Sequence, residues 1–138
     1  MIVDVRTYTL IPRKQAKYLE LFEKRALPVA KRHGLELMSY YVSYIGALNQ
    51  VVHLWRYENL ADMEKKRAAR DADPAWGEFL SLTEGMLLLQ EDKVMRPASF
   101  SPIRQSIPAI IREAPPAQSV RFMPLSDISH RENFIAGC

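Results

Sequence analysis

Ile2-Val3-Asp4-Val5-Arg6-Thr7-Tyr8-Thr9-Leu10, closed by Pro12, is rich in β-branched and aromatic residues and has two unlike faces. Side chains alternate along a strand, so Val3, Val5, Thr7 and Thr9 share one side and Asp4, Arg6, Tyr8 and Leu10 the other. Downstream, Ala16, Leu19, Phe22, Ala26 and Val29 recur every three or four residues opposite Lys14, Lys17, Glu20, Glu23 and Lys24, which predicts an amphipathic helix. Pro28 predicts a kink or restart near Ala26–Leu27, and Gly34 ends the helix. Leu35–Ile45 and Asn49–Tyr57, joined by Gly46-Ala47-Leu48, predict an antiparallel hairpin. Asn59 caps a helix over about Leu60–Arg70. Asp73-Pro74 restarts one carrying Trp76, Phe79, Leu80 and Leu82, and Met86–Met95 supplies a fourth strand after Gly85. The order β-α-β-β-α-β predicts an α+β, ferredoxin-like fold with a four-stranded antiparallel sheet.

The 138 residues divide by texture into a domain over 1–103 and a C-terminal extension over 104–138, an arm or partly disordered tail. The single cysteine, Cys138, excludes an intrachain disulfide. Nineteen bases against sixteen acids leave a net charge of +3, and only Lys65-Lys66-Arg67 forms a basic run, so no nucleic-acid partner is expected. No apolar stretch approaches the roughly 18 residues of a membrane span, and Met1-Ile2-Val3-Asp4 lacks the blocks of a signal peptide, so a cytoplasmic protein is expected.

Two helices cover only one face of a four-stranded sheet. Val3, Val5, Val52 and Leu54 are assigned here to the helix-covered face. The opposite face then holds Asp4, Arg6, Tyr8, Met38, Tyr40, Val42, Val51, His53, Trp55 and Tyr57. It is too aromatic to lie in water and too charged for a plain core. This predicts a homodimer whose two sheets meet and enclose a mixed polar and aromatic cavity.

Val5-Arg6-Thr7-Tyr8-Thr9-Leu10 with Pro12, Val51-Val52-His53-Leu54-Trp55-Arg56-Tyr57 with Asn59-Leu60, Asp73-Pro74-Ala75-Trp76, and Met95-Arg96-Pro97 with Phe100-Ser101-Pro102 together resemble the NIPSNAP family over residues 1–103. The resemblance implies a dimeric α+β barrel, a superfamily that includes cofactor-free monooxygenases, haem-degrading enzymes and small-molecule isomerases. The animal NIPSNAP proteins are mitochondrial and linked to membrane traffic and mitophagy signalling. Their targeting region has no counterpart here, which implies a short stand-alone member. Arg13 stands where a glycine commonly follows the proline, which implies a differently shaped turn.

On the aromatic face His53 is the candidate general base or haem ligand, against the plainer reading of a buried, hydrogen-bonded histidine. Arg6 is the second catalytic candidate, placed to hold an anionic or phenolate oxygen. Tyr8, Tyr40, Trp55, Tyr57 and Asp4 complete the candidate ligand site, although an Asp4–Arg6 ion pair explains those two charges without chemistry. His33 suits the end of the first helix, and Lys65, Lys66, Arg67 and Arg70 read as a solvated basic face. No nucleophile elbow, glycine-rich phosphate loop or metal-spaced cluster is present, so no metal or cofactor is expected. The sequence therefore points to a homodimer binding an apolar small molecule in an intersheet cavity, as a cofactor-free monooxygenase or similar proton-transfer enzyme. The alternative is a non-catalytic dimeric interaction or scaffold module.

Overall fold

The computed structural model describes residues 1–103, and the expected extension over 104–138, with His130 and Cys138, lies outside them. Strand β1 (Ile2–Leu10) leads through Ile11–Lys14 to α1 (Gln15–Leu21), a single π-helical turn (Phe22–Ala26) and α2 (Leu27–Arg32). The break expected from Pro28 is therefore a π turn just upstream of it, with the proline seated in the first turn of α2, where its missing N–H is harmless. Gly34, at φ +74°, turns the chain into β2 (Glu36–Val42). The hairpin closes on β3 (Gln50–Tyr57).

Helix α3 (Leu60–Asp71) starts where the Asn59 side chain accepts the Asp62 N–H at 2.9 Å, and α4 (Pro74–Leu82) starts where Asp73 accepts the Ala75 N–H at 3.0 Å. Strand β4 (Leu87–Met95) completes the sheet in the order β2-β3-β1-β4, every pair antiparallel. This is the ferredoxin-like α+β arrangement. Among the described residues no helix is long and apolar enough to cross a membrane.

The register fixes what the helices cover. Ile2, Asp4, Arg6 and Tyr8 lie opposite Tyr57, Trp55, His53 and Val51. These residues face the helices: the Phe22 ring lies 5.5 Å from His53 and 6.4 Å from Trp55, and Tyr8, Leu10, Val51, Trp55 and Tyr57 join Tyr18, Leu21, Phe22, Met63 and Phe79 in the core. The two faces are thus the reverse of the sequence-based assignment. Val3, Val5, Thr7, Thr9, Val52 and Leu54 occupy the helix-free side. Pattern alone favoured the aliphatic side for the helices, but the helices contribute rings of their own, and ring-on-ring packing buries more area than Val and Thr offer. A further correction falls in β2, where an irregularity between Leu37 and Ser39 brings Leu37, not Met38, opposite Trp55.

Arg13 adopts the left-handed conformation at φ +71°, which glycine takes without cost and an L-residue does not. Relieving that strain should outweigh the added freedom of the unfolded chain. Arg13→Gly is expected to stabilise the domain by up to about 1 kcal/mol, seen as a raised midpoint in chemical denaturation.

Candidate functional site

The site is built on β1. Asp4, 0% exposed, sits on an inner strand beneath the helices and needs cationic partners there. Arg6, two residues along the same face, supplies one through its Nε at 2.8 Å. Arg67 of α3 supplies the other, its Nη2 lying 2.5 Å from the same carboxylate oxygen and 3.2 Å from Asp92 of β4. Two guanidinium groups thus meet two carboxylates. Arg6 also donates from Nη1 to the Tyr8 hydroxyl at 2.9 Å. Burial opposes the charge on Arg6, but Tyr8 and Asp4 beside it more than offset this and push its pKa up, so it stays cationic.

His53 of β3 occupies the centre of an aromatic box. Tyr40 of β2 stacks on it with planes 4° apart and centroids at 4.9 Å, and Tyr8 meets it edge-on at 4.8 Å. The Trp55 indole N–H donates to His53 Nδ1 at 2.6 Å. Nδ1 is therefore the acceptor, and the neutral ring carries its proton on Nε2. Neither His53 Nε2 nor the Tyr40 hydroxyl has a hydrogen-bond partner among the described residues. Burial, with the Arg6 charge adding to it, pulls the His53 pKa down to about 3, while burial pushes the Tyr18 and Tyr40 phenols up. The cavity lining thus combines two arginines, Arg6 and Arg70, with aromatic rings.

A cavity of about 50 Å³ lies between sheet and helices, lined by Arg6, Tyr8, His53 and Trp55 from the sheet and by Phe22 and Ala26 of the π turn. It has room for roughly three or four waters. An open groove of about 680 Å³ lies over Leu27, Pro28 and Leu37 and shares Ala30, Leu35 and Trp55 with the cavity. That volume is in the range of small-molecule sites.

All seven sequence-predicted site residues lie on the one helix-covered face. Arg6, Tyr8, His53, Trp55 and Tyr57 line the cavity, Asp4 anchors Arg6, and Tyr40 stacks behind His53. The space they border is inside one protomer, which overturns the expected intersheet cavity. The contact of Arg67 with Asp4 is one that the sequence conceals, because the basic run on α3 reads as a solvated face. A signal is nonetheless present: Met63, Arg67 and Arg70 fall at i, i+4 and i+7, the spacing of a covered stripe. Arg70 is itself buried, its guanidinium 4.2 Å above the Trp76 ring. His33 is structural, its Nε2 lying 2.8 Å from Asp73 at the start of α4. Haem ligation by Nε2 would require the ring proton to move to Nδ1, against the Trp55 N–H. Among the described residues no group of three or more His, Cys, Asp or Glu could share a metal ion.

A family model described as NIPSNAP matches residues 3–102, and the chain belongs to that family. It is 36% identical over 93 residues to the human protein NipSnap homolog 3A, covering 66% of this chain and 37% of that protein. It is 29% identical over 103 residues to zebrafish (Danio rerio) NipSnap homolog 2, covering 75% of this chain and 35% of that protein. The chain thus spans little more than a third of the length of these curated relatives. Among solved structures, a NIPSNAP family protein of unknown function from Agrobacterium tumefaciens superposes with a TM-score of 0.71 at 37% identity, over 75% of this chain and 94% of that one. A putative monooxygenase from Lactobacillus acidophilus shares the fold at a TM-score of 0.57 and 16% identity, over 69% of this chain and 43% of that one.

The His53 environment has a consequence for stability. Its folded pKa of about 3 lies below the unfolded value near 6.5, so between those pH values the unfolded state binds a proton that the folded state refuses. The contribution is complete above about pH 6.5 and is lost as pH falls. It should appear as a slope of about 1.4 kcal/mol per pH unit from this one group between about pH 6 and 4. Urea midpoints measured across that window should flatten by that slope in His53→Gln.

Proposed function

For this NIPSNAP-family chain we propose a homodimer in which each protomer binds a small, largely apolar molecule between its own sheet and helices and acts on it by proton transfer or cofactor-free oxygenation. The observation that carries this reading is the largely enclosed cavity lined by a cationic Arg6 and by His53, whose Nε2 is unpartnered, with a mainly apolar groove next to it. Arg6 and the Tyr8 hydroxyl hold an anionic oxygen of the ligand, as electrostatic stabilisation of an enolate or phenolate requires. Trp55 borders both spaces and supports the apolar body of the ligand in the groove, and Tyr57 lines the cavity. Asp4 and Arg67 position Arg6 and do not meet the ligand. A base of pKa about 3 is poorly matched to proton abstraction at neutral pH, so His53 is not assigned that role. The Lactobacillus neighbour, at 16% identity, supports the fold and not the reaction.

The homodimer rests on the other face. Val5, Val52 and Leu54, with Leu89 and Met95 of β4 at its ends, form a partly exposed apolar strip on the helix-free side, and Arg56, Glu91 and Lys93 share that face in register. An identical sheet packed over it would keep that strip from water. A second reading, a non-catalytic dimeric scaffold, is favoured by the small volume of the cavity, since a ring cluster this tightly filled also serves as a core.

Two measurements separate these readings. Leu54→Glu should convert the dimer to a monomer in sedimentation at micromolar concentration, and that monomer should still bind ligand, because the site is complete within one chain. Calorimetric titration with a panel of small aromatic and carbonyl compounds should give saturable binding that weakens roughly tenfold or more in Arg6→Gln. Absence of saturable binding in both parent and variant leaves the scaffold reading standing.

A further inference from the structure

We propose that His53 is a fixed hydrogen-bond donor, its Nε2–H set by the Trp55 indole, and that the site therefore selects ligands presenting a carbonyl-type oxygen over equally apolar molecules without one. This deepens the small-molecule reading above and rests on it. Arg6 and Tyr8 reach the His53 ring from β1, Tyr40 from β2, Trp55 from its own strand, and Phe22 from the helical layer. None of these offers an acceptor to Nε2, and the residue is 1% exposed. Buried donors in folded proteins are almost always met by an acceptor, so a donor left open beside a cavity marks where an oxygen belongs. Arg6 contributes a second donor-bearing group to the cavity lining. Charged and neutral donors together fit an oxygen with lone pairs and repel an ammonium group.

Trp55 is the positioning residue. Its N–H holds Nδ1 as an acceptor, so the proton cannot leave Nε2 for Nδ1 without two donors facing each other at 2.6 Å. The low basicity of the ring, from burial and the Arg6 charge, keeps it in the neutral donor form throughout the physiological range. His53 then polarises a bound carbonyl and does not take up a proton from it. Of the three roles that the sequence offers for this histidine, general base, haem ligand and buried hydrogen-bonded residue, the structure shows the last, and to it the proposal adds that of an electrophile.

The experiment uses full-length protein labelled with ¹⁵N at histidine. Long-range ¹⁵N–¹H correlation spectra should place the His53 proton on Nε2 and show no change between pH 5 and 8. Trp55→Phe, which keeps an aromatic ring and removes the N–H, should yield mixed tautomers. In the same samples, cyclopentanone and cyclopentane serve as matched probes followed by shifts of cavity resonances. Cyclopentanone should bind about tenfold more tightly, and this preference should fall in Trp55→Phe and His53→Phe and survive in His53→Gln. A proton on Nδ1, a titration midpoint between pH 5 and 8, or equal binding of the two probes overturns the inference and leaves the small-molecule pocket standing. Binding of neither probe overturns both.

Discussion

The charge balance around Asp4 is the constraint on which the rest of this fold turns. A carboxylate buried on an inner strand, beneath a helical layer, destabilises a domain unless cations reach it. Arg6 is close by on the same strand face, but one guanidinium beside one carboxylate leaves other hydrogen-bonding positions open. Arg67 closes part of that deficit from α3, and Asp92 returns a negative charge from β4. One cluster therefore ties β1, β4 and α3 together and places the Arg6 guanidinium at the cavity. The same contacts that make the charges tolerable hold the cation of the site in position, so the stability of the domain and the electrostatics of the cavity have a common source.

The element order was legible because each boundary carries its own local chemistry. Asn59 and Asp73 accept backbone N–H groups at two helix starts, and Gly34 and Gly85 adopt positive φ where chain direction changes. Period-two alternation also sorted the residues of β1 and β3 into the correct sets. It did not say which set the helices cover. That question is decided by partners distant in sequence: Phe22 meets His53, Phe79 meets Tyr18, and Arg67 reaches Asp4, none of which a strand pattern contains. The seven candidate residues were consequently grouped on one face, as the structure has them, and assigned to the wrong environment. The error at Met38 has a separate cause, since a one-residue irregularity in β2 shifts the alternation of the residues that precede it.

Reversing the faces separates two properties that the strand pattern had joined. A cavity between two sheets exists only in the dimer, whereas a cavity between a sheet and its own helices belongs to each chain. Under the proposed function, self-association through Val5, Val52 and Leu54 and ligand recognition near Arg6 answer to different residues on opposite sides of a single sheet. Thr7 and Val52 on one face pair in register beside Arg6 and His53 on the other.

The π turn completes this account. A single wide turn in an otherwise α-helical segment gives up regular hydrogen bonding and recurs where proteins bind ligands. Here it spans Phe22–Ala26, and both end residues line the cavity, as do Tyr18 before it and Ala30 after it. These four are spaced by four residues. In a regular α-helix each such step overshoots a full circle by about 40°, so the row would drift steadily away from one cavity. A wider turn in the middle takes back part of that drift. Two rings and two methyl groups can then face the same space, with the Phe22 ring 5.5 Å from the imidazole. Pro28 is the second residue of α2, directly after the π turn. The backbone irregularity and the unpaired Nε2 thus sit against the same enclosed volume, as two local departures from ideal structure that each make sense when that volume is occupied.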